Sequence, residues 1–188
     1  MVIILLGEGF EETEALTPAN LLRRAGIEVS LVGLTGRQVT GGHGIIVQAD
    51  QTLEELDQNL DLNQVEMLVL PGGGQGTASI QRNERALGLI QQCWDHGCFL
   101  GAICAAPTIL GAMGILDRRK AVCYPGMEDR LGSGVYTGGR PIVVDGHLVT
   151  GRAAGAVFDF GLKLVEVLRG VEAARRVRYA VYYRGEQF

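Results

Sequence analysis

One cysteine stands in a segment whose composition suits a reactive nucleophile. Cys104 lies within GAICAAP (101–107), after a predicted strand and before a predicted helix, with small residues on both sides. This pattern is typical of a nucleophile elbow, in which a sharp turn projects the reactive side chain into solvent. A helix start also predicts a thiol pKa below the usual value of about 8.5, because the helix dipole stabilises the thiolate. Cys104 is therefore the predicted nucleophile.

A glycine-rich turn follows another predicted strand. Pro71 is followed by Gly72, Gly73 and Gly74, and glycine lets the backbone approach a bound oxygen closely. The backbone N–H of Ala105 and an N–H from the glycine turn are predicted to form an oxyanion hole beside the thiol. Such a glycine run, taken alone, is also compatible with an ordinary turn.

Acidic residues cluster after the first predicted strand. Glu11, Glu12 and Glu14 fall in the first turn of a predicted helix, where the helix dipole favours carboxylates. One interpretation is capping and dipole compensation. The other is that Glu14 is a partner of the thiol, because the ends of parallel strands meet at one edge of a sheet.

The remaining cysteines carry no comparable signal. Cys93, Cys98 and Cys123 each fall within a helix or strand pattern, and we expect them to be buried and inert. There is no C-x-x-C pair and no cysteine and histidine spacing of the zinc type. The sequence therefore predicts neither a metal nor a cofactor.

The elements that position these residues alternate along the chain. Strands are predicted at Val2–Leu6, Ile27–Val32, Gly44–Val47, Val65–Leu70 and Phe99–Ile103, with a hairpin over Ile142–Thr150 that turns at Asp145 and Gly146. Helices are predicted from Glu11 to a stop at Gly26, Leu53 to Leu60, Asn83 to His96, after Cys104, Val157 to Leu168, and Val171 to about Val177. This alternation predicts an α/β fold with three layers, a mostly parallel sheet covered by helices on both faces.

Composition limits the classes of function. A chain of 188 residues that is 47% hydrophobic suits a single domain over residues 1–188. The formal net charge of −4 argues against nucleic acid as the main partner and favours a small-molecule or protein substrate. The short apolar segment Val2–Leu6 is neither a signal peptide nor a membrane span, so a cytoplasmic protein with reduced thiols is expected.

Four segments together resemble a known family. They are GEGFEETEALTPANLLRRAGI (7–27), LPGGG (70–74), GAICAAPTIL (101–110) and LVTGRAAGAVFDFGL (148–162). In this order and spacing they are similar to the ThiJ/PfpI superfamily, in the branch of the Parkinson-disease protein deglycase (DJ-one) and bacterial YajL. The resemblance covers nearly the whole chain, and the combination of Glu14 with the Cys104 elbow is specific to this branch.

The resemblance implies a flavodoxin-like homodimer with Cys104 as nucleophile and redox-sensitive centre. Glu14 would be protonated and hydrogen-bonded to the thiolate. The amides of Gly73 and Ala105 would line an anion pocket. Arg24, together with Arg23, would lie near the dimer contact that borders this pocket.

The implied activity is that of a deglycase or glyoxalase. Such an enzyme acts on 2-oxoaldehydes such as methylglyoxal and glyoxal, or on their adducts with proteins, and protects against oxidative stress. The alternative is a redox sensor or redox-regulated chaperone that works through oxidation of Cys104.

A peptidase or amidase of the PfpI type is a third alternative. Ala105 stands where peptidase-like members carry a histidine, which disfavours this alternative. Tyr124 stands where the deglycase prototype carries a histidine, so no histidine is expected near the thiol. A glutamine-amidotransferase-like hydrolase would need a late histidine, and His147 falls on the predicted hairpin. Glu14 is thus the evident proton shuttle.

Overall fold

The computed structural model describes residues 1–184, which form a central sheet of seven strands with helices on both faces. The strands are β1 (Val2–Leu6), β2 (Val29–Gly33), β3 (Gln38–Thr40), β4 (Ile46–Gln48), β5 (Gln51–Thr52), β6 (Met67–Leu70), β7 (Phe99–Ile103), β8 (Lys120–Ala121), β9 (Val135–Tyr136), β10 (Ile142–Asp145) and β11 (Leu148–Gly151). The helices are α1 (Glu12–Arg24), α2 (Leu53–Asn59), α3 (Gly74–Gln81), α4 (Glu84–His96), α5 (Pro107–Ala112), α6 (Val157–Arg169) and α7 (Val171–Ala180).

The central sheet runs in the order β10-β11-β7-β6-β1-β2-β5. All neighbouring strands are parallel except β10, which forms an antiparallel hairpin with β11. Two small pairs lie outside it, an antiparallel β3–β4 ribbon and a parallel β8–β9 pair. The predicted flavodoxin-like α/β fold, with its mostly parallel sheet, is confirmed.

Strand β1 shows why the sheet is covered on both faces. Val2, Ile4 and Leu6 belong to one apolar cluster, and Ile3 and Leu5 belong to the other. Because successive side chains of a strand point to opposite faces, a run of five apolar residues is stable only when both faces are covered. Helices α1, α6 and α7 supply the first cluster, and α2 to α5 supply the second. Within residues 1–184, no helix has both the length and the apolar character needed to span a membrane.

The strand order brings the chemically interesting loops together. Strands β7, β6 and β1 are adjacent and parallel, so their carboxyl ends at Ile103, Leu70 and Leu6 lie at one edge of the sheet. The three segments that follow these strands begin at this edge. The prediction that parallel packing brings these three segments to one edge of the sheet is confirmed. Ligands bind at this edge in open α/β sheets.

The hairpin differs from the prediction by one residue. Asp145 pairs with Leu148, so the two turn residues are Gly146 and His147 and not Asp145 and Gly146. Gly146 has a φ of 60° and occupies the first turn position, where a type II′ turn requires glycine. The Asp-Gly dipeptide alone does not say whether glycine takes the first or the second turn position. Its place at the first position sets which residues of β10 and β11 pair.

Helix α3 was not predicted. Its sequence GQGTASIQ is rich in glycine and small polar residues, which have low helix propensity. Packing selects these residues, because a Cβ at Gly76 would lie 2.6 Å from the Cα of Phe10. Close approach to the loop after β1 therefore outweighs local propensity.

Candidate active site

Cys104 occupies a strained turn between β7 and α5. Its φ is 64°, in the left-handed region that costs an L-residue about 1–2 kcal/mol. The backbone N–H of Cys104 donates to the carbonyl of Gly151 at 2.9 Å, and the N–H of Tyr124 donates to the carbonyl of Cys104 at 2.8 Å. The predicted elbow is thus present. Sequence reasoning missed the supporting roles of Gly151 and Tyr124, because backbone contacts between distant segments leave no residue-type signal.

Glu14 lies inside the protein at the start of α1. It is the third residue of the helix, and its side chain has no exposed surface. The N–H of Gly72 donates to Glu14 Oε2 at 2.8 Å. Among residues 1–184, no nitrogen or oxygen atom donates a hydrogen bond to Oε1, and the carboxyl interacts with the thiol of Cys104. One oxygen is therefore anchored, and the other is available for a proton.

The glycine turn after β6 fits between the acid and the thiol. A Cβ at Gly72 would lie 2.5 Å from Glu14 Oε2 and 2.7 Å from the Cβ of Cys104. At Gly73, where φ is 86°, a Cβ would lie 2.5 Å from the carbonyl oxygen of Gly9 and 2.6 Å from the nitrogen of Glu11. Both positions exclude a side chain, so the glycine residues permit the close approach.

Burial controls the ionisation of Glu14. Removal of the carboxyl from water raises the pKa of Glu14 to about 7, against the hydrogen bonds from Gly72 and Cys104, which lower it. The negative charge of Glu11 acts in the same direction as burial. A carboxyl with this pKa is partly protonated at neutral pH, which suits a group that both accepts and donates protons.

The predicted lowering of the thiol pKa was wrong. Burial raises the pKa of Cys104 to about 12, and the charge of Glu14 and its hydrogen bond to the thiol act in the same direction. The N–H groups of Ala105 and Gly73 lower the pKa, but by less. Helix α5 begins only at Pro107 and has six residues, so the dipole on which the prediction relied is short and displaced from the sulfur.

The thiol and the carboxyl titrate as a pair. With the pKa of Glu14 about 7 and that of Cys104 about 12, the two groups hold two protons below pH 7 and share one proton between pH 7 and pH 12. Transfer of that proton from sulfur to Oε1 would produce a thiolate beside a neutral acid. This transfer removes the negative charge from the fully buried carboxyl and moves it to the half-buried sulfur, where two backbone N–H groups face it.

Arg24 is not brought to this site within one chain. It lies ten residues after Glu14 on α1, a separation of about 15 Å along the helix axis. Its Nε donates to Asn20 Oδ1 at 2.8 Å. The other predicted site residues, Cys104, Glu14, Gly72, Gly73 and Ala105, do lie together.

A second buried carboxyl on α1, that of Glu12, lies beside the turn between β3 and β4. Glu12 is buried, and it accepts hydrogen bonds at 2.8 Å from the backbone N–H of His43 and, through its other oxygen, 2.8 Å from His43 Nδ1. Burial acts to raise the pKa of Glu12, but these hydrogen bonds lower it to about 2. Ligand atoms of Glu11, Glu12 and His43 lie within 4.8 Å of one another, close enough to hold a metal ion. The spacing of these residues in the sequence gave no hint of this cluster.

The arrangement combines the parts that acyl-type and carbonyl chemistry needs. The sulfur of Cys104 is a nucleophile, Glu14 is an acid and base beside it, and the N–H groups of Gly73 and Ala105 face the same point. Donors in this position can stabilise an oxyanion that forms on a carbonyl attacked by the sulfur.

Comparison with known proteins extends over nearly the whole chain. A model of the DJ-1/PfpI family matches residues 1–167. Protein dj-1beta of Drosophila melanogaster is 32% identical over 177 residues, which cover 93% of this chain and 92% of that protein. A Pyrococcus abyssi protein named deglycase is 31% identical over 169 residues, or 89% of this chain and 99% of its own. A solved DJ-1 superfamily protein from Salmonella typhimurium matches with a TM-score of 0.89 and 36% identity over 97% of both chains.

Proposed function

This chain belongs to the DJ-1/PfpI family, and from that premise we propose that it is a cysteine-dependent enzyme acting on 2-oxoaldehydes or their adducts. Methylglyoxal and glyoxal, free or attached to protein amines and thiols, are the proposed substrates. The observation that carries the proposal is the contact between the fully buried carboxyl of Glu14 and the thiol of Cys104. The name deglycase on relatives about 30% identical supports it.

The first proposed step is attack of the sulfur on the aldehyde carbon. Glu14 takes the thiol proton as the S–C bond forms, so the sulfur need not ionise alone against a raised pKa. The N–H groups of Gly73 and Ala105 hold the oxygen that becomes negative. Protonation of that oxygen gives a hemithioacetal on Cys104.

The second proposed step is an internal redistribution of hydrogen. Glu14 removes the proton from the former aldehyde carbon and a proton is returned to the neighbouring carbonyl carbon, which converts the hemithioacetal into a thioester. Water then cleaves the thioester and releases a 2-hydroxy acid. For methylglyoxal the sum is one aldehyde plus one water giving one lactate, so no external oxidant or cofactor is required.

The test follows loss of methylglyoxal and formation of lactate with the purified protein. Cys104→Ser should abolish turnover, and Glu14→Gln should reduce it by about 100-fold, the usual size of a general acid–base contribution. Glu11→Gln, which removes a neighbouring charge without touching the sulfur, is the matched control and should retain activity. Full activity in Cys104→Ser would overturn the proposal.

A redox function is favoured by a different observation. Among the four cysteines, all within residues 1–184, Cys104 is the most exposed, since it is half-buried and the other three are buried. Two equivalents of peroxide would convert its thiol to a sulfinic acid, with Glu14 as hydrogen-bond donor to the product, and the protein would act as a sensor or redox-regulated chaperone. Mass spectrometry after mild peroxide treatment should find two added oxygens at Cys104. Selective oxidation without aldehyde turnover would favour this function over catalysis.

We also propose that the protein is a homodimer in the cytoplasm. Exposed apolar residues support a partner surface, because Leu16 is 36% exposed on α1 and Ile45 and Ile46 are 55% and 64% exposed near the β3–β4 ribbon. Arg24, remote from Cys104 within one chain, would then border the pocket from the dimer contact. Light scattering gives the mass in solution, and a monomer at micromolar concentration would contradict the proposal.

A further inference from the structure

Two of the buried cysteines flank the end of helix α4. Gly97 has a φ of 85°, its N–H donates to the carbonyl of Trp94, and the N–H of Cys98 donates to the carbonyl of Cys93 at 2.9 Å. These bonds define a Schellman motif, in which the side chains of the residues at the two ends of the motif come into contact. Here both of those residues are cysteines.

The two thiols face each other in the interior. Cys93 has no exposed surface and Cys98 is 4% exposed, and both belong to the same apolar cluster. Each sulfur influences the pKa of the other, so they lie within interaction range. Both are reduced. The backbone hydrogen bond from Cys98 to Cys93 therefore keeps the two residues together, and a disulfide requires two cysteines that lie close to each other.

The two sulfurs are not equivalent. Cys98 lines a surface cavity of about 360 Å³ together with His96 and Phe99, whereas Cys93 does not line it. Burial raises the pKa of both thiols, to about 12 at Cys93, while the hydrogen bond from Cys93 lowers the pKa of Cys98. The sulfur of Cys98 donates a hydrogen bond to the carbonyl of Val65 at 3.1 Å, and both residues line the cavity, so an oxidant in the cavity meets Cys98 before Cys93.

The pair is separate from the candidate active site. Strand β7 runs from Phe99 to Ile103, so Cys98 precedes it and Cys104 follows it. An extended strand rises about 3.3 Å per residue, which puts the two cysteines roughly 20 Å apart at opposite ends of the strand.

We propose that Cys93 and Cys98 form a redox-active dithiol that hydrogen peroxide converts to an intramolecular disulfide. The sulfur of Cys98 attacks one peroxide oxygen, the O–O bond breaks, and the thiol proton and the departing hydroxide leave together as water. The resulting sulfenic acid on Cys98 is attacked by the thiol of Cys93, which forms the S–S bond and releases a second water. Two thiols and one peroxide give one disulfide and two waters, with two electrons passing from sulfur to oxygen.

This second thiol site has a different chemical outcome from Cys104. Cys104 has no neighbouring thiol among the residues that act on its pKa, so its oxidation proceeds to oxygen adducts. Oxidation at Cys98 stops at the disulfide, because Cys93 traps the sulfenic acid. The protein therefore carries one thiol site that a dithiol reductant restores and another that progresses to a sulfinic acid.

Peptide mapping tests the proposal directly. Asp95 lies between the two cysteines, so cleavage before aspartate separates Cys93, in peptide 61–94, from Cys98, in peptide 95–116. The measurement uses Cys104→Ser, which leaves Cys98 as the only thiol in the second peptide. After treatment with hydrogen peroxide and alkylation of remaining thiols, the two peptides should be joined, and dithiothreitol should separate them. Both peptides unlinked, with Cys98 alkylated or carrying two oxygens, would overturn the proposal.

Two single variants in the same background separate the roles of the sulfurs. Cys93→Ala should lose the linked species and let Cys98 gain two oxygens, whereas Cys98→Ala should lose the linked species and leave Cys93 reduced. Linkage found only in a dimeric band on a non-reducing gel would overturn an intramolecular bond. If either variant fails to fold by circular dichroism, the result with Cys104→Ser still decides the proposal.

Discussion

The backbone N–H of Gly72 donates a hydrogen bond to Oε2 of Glu14 across 2.8 Å. This bond joins the turn after β6 to the first turn of α1 and orients the carboxyl, so that its other oxygen is left for the thiol of Cys104. The same residue must be glycine, since a Cβ would meet both groups. One glycine therefore anchors the acid and leaves space for the sulfur.

Gly72→Ala should disrupt the site. The added methyl group would lie 2.5 Å from Glu14 Oε2 and 2.7 Å from the Cβ of Cys104, so the acid and the sulfur must separate. Turnover of methylglyoxal should fall by at least about 100-fold and stability by about 1–3 kcal/mol. Gly74→Ala is the matched control, because a Cβ there meets nothing within 4 Å. Equal activity in the two variants would contradict the proposed geometry.

Glu14→Gln should move the pH dependence of alkylation at Cys104. In the natural protein the pair loses its first proton near pH 7, so the rate with iodoacetamide should rise with that midpoint. The amide cannot take the thiol proton, while burial still opposes the thiolate, so the midpoint should shift to higher pH. Glu11→Gln should move it slightly downward, since Glu11 raises the pKa of Glu14. An unchanged midpoint in Glu14→Gln would show that the two groups do not share a proton.

Stability should depend on pH through Glu14. Its pKa is about 7 in the folded protein and 4.5 ordinarily, so the folded state binds more protons between these values. The stabilising contribution is complete below pH 4.5 and is lost as pH rises through 7. Relative to Glu14→Gln, the natural protein should therefore lose about 3 kcal/mol between pH 4.5 and pH 8. Urea unfolding of both proteins at the two pH values measures this difference, and parallel stability profiles would exclude it.

The strained backbone of Cys104 should be measurable by substitution. Its φ of 64° is unfavourable for alanine and accessible to glycine. Cys104→Gly should be more stable than Cys104→Ala by about 1 kcal/mol, after allowance for the greater freedom of glycine in the unfolded chain. Chemical unfolding at pH 7 provides the comparison. If Cys104→Ala is the more stable of the two, the elbow does not store the expected strain.

Local patterns in the sequence were sufficient to predict the α/β fold of this protein and the position of its nucleophile elbow. The apolar run of β1 predicted a strand covered on both faces, and the small residues around Cys104 predicted the elbow, because periodicity and steric demands act between near neighbours. The sequence did not predict helix α3, and it placed the hairpin turn one residue too early. In both cases close packing or register, rather than local preference, selects the conformation.

Only the tertiary structure decided the electrostatics of the thiol. The position before a helix predicted a low pKa for Cys104, yet burial and the carboxyl of Glu14 raise it. It likewise decided that Gly72 bonds to Glu14, two residues that lie 58 positions apart in the sequence. A pKa depends on every charge and on the loss of water around a group, and these are set by segments that meet only after the chain has folded.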